Sequence, residues 1–251
     1  MAANVTAIVT GHSRGLGAAI ASELLERGAA VLGLARSGND RLAGRLEEVA
    51  LDLARPDAVV EALSATGPMH RFLAAAGAGT VVLINNAGMV EPIGPAGTLD
   101  PTTIARAVAL NVTAPLLLSD AFIAATEGRA DRRILHVSSG AARQPFAGWS
   151  IYCATKAALD HHARSVAADA LPGLRIASVA PGVLDTEMQA TLRATPPERF
   201  VLRDRFVALQ ETGSLTRPEE AARALVDYLL MPAFGDEQVT DIRNLGTAAT
   251  S

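Results

Sequence analysis

The chain of 251 residues has one cysteine, Cys153, and one lysine, Lys156, among its 22 basic residues. A single cysteine excludes an intrachain disulfide and a cysteine-based metal cluster. There is no basic tract, and 22 basic against 26 acidic residues leave a net charge of −4. Nonspecific nucleic-acid binding needs clustered cations, so no nucleic-acid partner is expected. The stretch Phe72–Val90 carries no charge, yet Gly77, Gly79, Asn85, Asn86 and Gly88 suit a helix end and a buried strand better than a membrane helix. Met1–Thr10 has no basic residue and leads directly into patterned sequence, unlike a secretion signal. A soluble cytoplasmic protein without a membrane partner is expected.

What is present is apolar and regular. Hydrophobic residues make up 49% and charged residues 19%, enough for a large core in one α/β domain. Short β-branched runs alternate with 3.6-residue patterns. Strands are predicted over Val5–Thr10, Ala29–Ala35, Leu46–Leu51, Thr80–Ile84, Arg133–Val137, Leu174–Val179 and Gln238–Ile242. Helices are predicted over Gly15–Arg27, Pro56–Ala75, Pro101–Ala125, Tyr152–Ala170 and Pro218–Leu230. This alternation implies a parallel sheet covered on both faces. The segment 184–216 breaks the rhythm after a strand's carboxyl end and reads as a substrate lid or as a plain helical insertion. One domain over residues 1–246 and a disordered tail over 247–251 are expected.

Thr10-Gly11-His12-Ser13-Arg14-Gly15-Leu16-Gly17 joins the first strand to the first helix. Glycines there let backbone N–H groups approach a pyrophosphate at a positive helix end, although a glycine-rich turn can be purely structural. An acid at the end of the second strand would bond the ribose hydroxyl of NAD. The chain has Leu34-Ala35-Arg36-Ser37 instead. Arg36 and Arg14 can pair with a 2′-phosphate, which favours NADP(H). Lys156 lies four residues after Tyr152, so the two share a helix face. A nearby ammonium is expected to lower the phenol's pKa from about 10 by roughly 1–3 units.

With these motifs in order, the whole chain resembles a short-chain dehydrogenase/reductase. The resemblance implies a single-domain, Rossmann-type, doubly wound parallel sheet of about seven strands in the order 3-2-1-4-5-6-7. It implies that Gly11, Ser13, Arg14, Gly15, Leu16, Gly17 and Arg36 hold the cofactor, that Asp52 bonds adenine, and that Asn86, Ala87 and Gly88 support the pocket. Pro181, Gly182, Val183 and Thr186 match the nicotinamide side. Asn111, Ser139, Tyr152 and Lys156 match the catalytic set, with Tyr152 and Lys156 also touching cofactor. Narrower motifs, Asn85–Ile93, Ser138–Ala142, Gly148–Cys153, Pro181–Gln189 and Glu211–Leu215, resemble the sepiapterin-reductase-like branch and, within it, bacterial benzil reductases that form (S)-benzoin.

The implied chemistry is hydride transfer from NADPH to a ketone or diketone. Tyr152 would donate the proton, Ser139 bond the same oxygen, Lys156 hold the ribose, and Asn111 anchor a water linking Lys156 to solvent. Gly140, Phe146, Trp149 and Met188 are candidate substrate contacts, although Trp149 can equally be core filler. The resemblance to sepiapterin reductases, in which an aspartate near the C-terminus holds the pterin ring, makes Asp241 a candidate too, although its flanking residues differ. No metal is expected: His161 and His162 have no acidic or cysteine cluster beside them. His136 reads as a hydrogen-bonded core residue, and His12 as a loop residue or a phosphate contact. The resemblance also implies a homodimer or homotetramer joined through Pro101–Ala125 and Tyr152–Ala170. Two other readings stay open: an NADP-dependent alcohol dehydrogenase working oxidatively, and a non-catalytic NADP(H) sensor, which should lack the Tyr–Lys pair.

Overall fold

In the computed structural model, which describes residues 4–245, seven strands form one sheet in the order β3-β2-β1-β4-β5-β6-β7. They are β1 (Val5–Thr10), β2 (Ala30–Ala35), β3 (Glu47–Ala50), β4 (Thr80–Asn85), β5 (Arg132–Val137), β6 (Leu174–Ala180) and β7 (Val239–Asp241). Every neighbouring pair is parallel. This is the Rossmann-type order expected from the sequence. The expected tail, 247–251, lies outside the described residues.

The central strands are apolar on both faces because helices cover both. On one face, α1 (Gly15–Glu26) and α9 (Pro218–Leu230) pack Ile20, Leu24, Leu225 and Leu229 onto Ala7, Val9, Val82 and Ile84. On the other, α2 (Pro56–Ala62), α3 (Pro68–Ala74), α5 (Ala114–Ala125) and α6 (Ser150–Ala168) supply Val59, Leu73, Phe122 and Ala163 against Ile8, Leu32, Leu83 and Ile134. Neighbouring strand residues therefore enter opposite cores.

Two predicted helices differ from expectation. Pro56–Ala75 is two helices, because the chain turns at Thr66-Gly67 and Pro68 opens a new first turn. Pro101–Ala125 is continuous but not uniform. Between α4 (Pro101–Val108) and α5 lies a π-turn, Ala109–Thr113, where the Ala114 N–H reaches back five residues to the Ala109 carbonyl. Pro115 has no N–H to return to the Asn111 carbonyl, and its ring crowds that turn. Widening the helix relieves the clash and falls on Asn111. By length and composition Pro101–Ala125 is apolar enough to cross a membrane. Here Leu118 and Phe122 bury its inner side against the sheet.

The amino ends of the strands are tied by charge. Asp131 accepts from Arg133 at 2.8 and 2.9 Å, from Arg175 at 2.8 Å and from the Thr80 hydroxyl at 2.8 Å. Its carboxyl is held far below the ordinary range: burial opposes this, but the bonds to Arg133, Arg175 and Thr80 outweigh it. Arg133 is only 7% exposed along its side chain. Asp131→Ala should strand that buried charge and cost about 3 kcal/mol. A denaturation midpoint unchanged at pH 7 would refute this.

Candidate active site

The carboxyl ends of β1, β4, β5 and β6 meet in one cleft. Gly11 follows β1 at φ +71°, a conformation that glycine adopts without strain. A Cβ on Gly17 would lie 2.1 Å from the Gly11 carbonyl oxygen and 2.4 Å from Asn86 Nδ2. The loop is thus folded tightly onto the turn after β4. Thr10 locks the two: its hydroxyl accepts from the N–H groups of Asn86 at 2.9 Å and Ala87 at 3.0 Å, and its carbonyl accepts from Asn86 Nδ2 at 2.9 Å. No side chain caps the first turn of α1. Its N–H groups, at the positive end of a helix dipole, suit a pyrophosphate. A Cβ on Gly15 would face Thr186 at 3.7 Å, so Gly15 and Thr186 stand across from each other. Ser13 lies on the same loop and Leu16 in the first turn of α1, and Pro181, Gly182 and Val183 follow the end of β6. The shape and the free helix end fit a dinucleotide.

At the β2 end, Arg36 is exposed and takes part in no ion pair among the described residues. Arg14, 67% exposed, pairs with Glu187 at the start of α7 (Glu187–Ala194). Asp52 is half-buried and accepts from the Ala54 N–H at 3.1 Å. His12 is 1% exposed, and its Nε2 meets Glu48 Oε1 at 2.8 Å. It therefore braces the loop against β3. Gly33 makes room for the imidazole, since a Cβ there would lie 2.5 Å from the ring.

The chemical end is built on α6. Tyr152 and Lys156 are 7% and 4% exposed. The Lys156 Nζ lies 5.8 Å from the Tyr152 ring centroid and donates to the Val137 carbonyl at 2.8 Å. Gly88 closes over it: a Cβ there would lie 3.3 Å from Asn111 Oδ1 and 3.6 Å from Lys156 Nζ. Asn111, in the π-turn, is clamped to Met89: its Oδ1 accepts from the Met89 N–H at 2.9 Å and its Nδ2 donates to the Met89 carbonyl at 2.8 Å. Ser139 heads a 3-10 turn over Gly140–Ala142, where its hydroxyl lies close enough to Tyr152 to favour the ionised phenol. Asn111 and Lys156 thus meet at Gly88, with Tyr152 one turn away on α6 and the Ser139 turn beside it.

The electrostatics differ from expectation. Burial pushes the Tyr152 phenol up to about 12, and the bond to Ser139 offsets only part of this. Burial also draws Lys156 down to about 8, with the charge of Asp160 acting the other way. The reason is geometric: the ammonium is turned to the Val137 carbonyl, and both groups are desolvated.

The substrate candidates divide. Trp149, 5% exposed, stacks on Phe200 at 5.0 Å and lies 5.1 Å from the Tyr152 ring, with Phe146 edge-on at 5.8 Å. Met188 packs on the same cluster. Gly140 is exposed and a Cβ there would meet nothing within 4 Å. Asp241 is engaged: its two oxygens bond Arg243 at 2.7 to 3.0 Å. It anchors that arginine beside Gly182 rather than presenting a free carboxylate. Sequence reasoning missed a cleft of about 620 Å³ between the Glu91–Ile93 loop, α4 and the 184–216 segment, with Arg199 and Thr195 in its wall. Only tertiary packing brings these stretches together. The base of the segment is closed by a bridge between Leu184 and Thr216, with Asp185 N–H to Thr216 O at 3.0 Å and Thr216 N–H to Val183 O at 2.9 Å. It carries α7 and α8 (Arg203–Glu211).

His136 sits wholly buried behind Lys156. Its Nδ1 meets Asn85 Nδ2 at 3.2 Å and its Nε2 meets His162 Nδ1 at 3.0 Å. Burial, then the charges of His162 and Lys156, lower its pKa to about 3. His162 is lowered too, chiefly by burial. A base whose folded pKa lies below its unfolded value of about 6.5 stabilises the fold fully above that pH. The contribution is lost as pH falls from 6.5 toward 3, at about 1.4 kcal/mol per unit for one group. Urea midpoints should therefore fall steadily between pH 6.5 and 4.5, where Asp131 stays ionised. A flat midpoint over that window would contradict a neutral buried His136.

A parallel sheet with a glycine-rich turn at β1 and a Tyr–Ser–Lys cluster at its carboxyl edge has the architecture of a nicotinamide-dependent oxidoreductase. The family model for short chain dehydrogenase matches residues 5–197, and the chain belongs to that family of oxidoreductases, which use nicotinamide cofactors. It is 35% identical over 246 residues to a benzil reductase ((S)-benzoin forming) of Bacillus cereus, covering 94% of this chain and 98% of that protein. It is 33% identical over 249 residues to the sepiapterin reductase of Meriones unguiculatus, covering 90% and 92%. Among solved structures, a short-chain dehydrogenase/reductase from Burkholderia vietnamiensis shares 48% identity and a TM-score of 0.68, covering 98% of this chain and all of that one.

Proposed function

We propose that the chain is an NADPH-dependent carbonyl reductase acting on small ketones or diketones of the benzil or sepiapterin kind. The observation that carries this reading is the buried Tyr152, its ring centroid 5.8 Å from the lysine ammonium and the Ser139 turn beside it, at the edge of a cleft that fits a dinucleotide. When bound, the reduced nicotinamide supplies a hydride to the carbonyl carbon. The Tyr152 hydroxyl gives its proton to the carbonyl oxygen as general acid. Ser139 donates to the same oxygen and stabilises its growing charge. Lys156 holds the nicotinamide ribose, and Asn111 anchors a water through which the proton is replaced. An alkoxide is a far stronger base than a phenolate, so a phenol at about 12 still donates readily. Oxidation would instead need the phenolate, which this burial disfavours. The electrostatics thus support reduction over the oxidative reading.

Arg36, with Arg14, selects the 2′-phosphate, and Asp52 bonds adenine. Gly11, Ser13, Gly15, Leu16 and Gly17 hold the pyrophosphate, while Asn86, Ala87 and Gly88 with Pro181, Gly182, Val183 and Thr186 flank the nicotinamide half. Residues 184–216 act as a lid on a single domain, hinged at its bridged base, and bring Met188 over Phe146 and Trp149. The protein works in the cytoplasm as a dimer or tetramer. An apolar groove lined by Val108, Val112, Ile151 and Ala154, with Val108 41% exposed, supports joining through Pro101–Ala125 and α6.

The test is NADPH oxidation with benzil, sepiapterin and a simple aldehyde, with product chirality read by chiral chromatography. Turnover of the dicarbonyls is expected. Tight NADPH binding with no turnover of any of the three would replace the reductase with a sensor.

A further inference from the structure

Asp160 lies one helical turn beyond Lys156 on α6 and is 3% exposed. Its Oδ1 accepts two hydroxyl hydrogen bonds, from Ser138 at 2.6 Å and from Ser178 of β6 at 2.7 Å. Its Oδ2 has no hydrogen-bond partner and faces the Arg143 Nε at 3.9 Å. A carboxylate buried this way is costly unless its charge is balanced nearby. Two cations balance it: Arg143, on the turn after Ser139, and Lys156 on its own helix. Ser138, one of its two hydroxyl partners, is the neighbour of Ser139. Tyr152, Lys156 and Asp160 recur every four residues and so share one face of α6.

We propose that Asp160 is a positioning residue of this active site: its charge keeps Lys156 an ammonium, and its bond to Ser138 fixes the turn that presents Ser139 to Tyr152. This rests on the roles given above to Ser139, Tyr152 and Lys156. Burial draws Lys156 down, and the charge of Asp160, four residues along the same helix face, opposes it. On the far side, His136 of β5 is uncharged at neutral pH and adds no repulsion to the ammonium. Arg143 extends the network to β7 through a 3.3 Å bond to the Thr240 carbonyl. The carboxylate therefore ties the tyrosine helix, the serine turn and two strands at one point. Either hydroxyl bond would satisfy Oδ1, yet only the one from Ser138 leads to the reacting groups.

The chain's single lysine makes the charge directly readable. In protein labelled with 15N-lysine, one side-chain signal reports Lys156, with no turnover required. In Asp160→Asn the lysine midpoint should fall by about one pH unit, and the alkaline limb of kcat should move with it. Ser138→Ala should lower kcat about tenfold at pH 6, where the lysine is charged in every variant. Ser178→Ala, which removes a bond of nearly equal length to the same oxygen, should stay within about twofold, a purely structural loss. A lysine midpoint that does not move in folded Asp160→Asn overturns the inference, and so do equal kcat losses in the two serine variants. If Asp160→Asn does not fold, the serine pair decides. An active Tyr152→Phe would remove the proton donor while leaving the lysine titration to judge Asp160 separately.

Discussion

Tyr152→Phe should lower kcat for carbonyl reduction about 10³-fold while leaving NADPH affinity within about twofold. The substitution removes one oxygen and nothing else. The ring stays against Trp149, at 5.1 Å, in a site already 7% exposed, so packing is preserved. The lost hydroxyl is a buried polar group, and a phenyl ring costs less to desolvate. Thermal stability should therefore hold or rise slightly. The loss then falls on the chemical step, because the developing alkoxide keeps only Ser139 as a donor. Steady-state NADPH oxidation gives kcat, and quenching of the one tryptophan, Trp149, gives binding. A residual rate within tenfold of the parent would take the proton-donor role away from Tyr152.

The pH profile adds a second view of the same proton. With the phenol near 12 and the lysine near 8, both groups carry their proton at neutral pH. Activity in the reductive direction should be level through neutrality and decline on the alkaline side as Lys156 loses its charge. That order reverses the expectation drawn from residue types alone, in which the ammonium makes the phenol acidic. The spacing Tyr152–Lys156 reads from sequence because a helix repeats every 3.6 residues. The degree of burial does not, because it depends on Phe200 and Phe206 arriving from a distant part of the chain to pack on Trp149.

The same distinction separates what was legible elsewhere. The strands, the glycine turn and the order of motifs are local and periodic, and they fold as read. The break at Thr66-Gly67-Pro68 carries its own local signal, a proline after a glycine, within an otherwise unbroken periodicity. The π-turn at Asn111 also has one, Pro115 four residues on. His12, Asp241 and Asp160 had none. His12 needs Glu48 on β3, and Asp160 needs Ser138 and Ser178 from two other elements. Asp241 is settled by Arg243, two residues away, through a bond geometry that composition does not reveal.

Arg36→Asp should reverse cofactor preference, reducing kcat/KM for NADPH by about 10²-fold or more and raising it for NADH. Arg36 is exposed at the end of β2, where an acid would bond a ribose hydroxyl and a cation a phosphate. Each charge-assisted bond contributes about 1.5–3 kcal/mol, so losing one weakens NADPH by roughly 10- to 150-fold. The new carboxylate also repels the phosphate, which adds to that loss, and gains a hydroxyl partner in NADH. The second cation, Arg14, acts differently because Glu187 already engages it across the cleft. Arg14→Ala should weaken NADPH less than Arg36→Asp, since in the parent protein the Arg14 guanidinium is already shared with that carboxylate and the alanine adds no repulsion toward the phosphate. Glu187→Gln frees Arg14 and should tighten NADPH without helping NADH. Comparing kcat/KM for the two cofactors in these variants separates phosphate recognition from lid contact. A preference unchanged in Arg36→Asp would mean that the phosphate is read elsewhere.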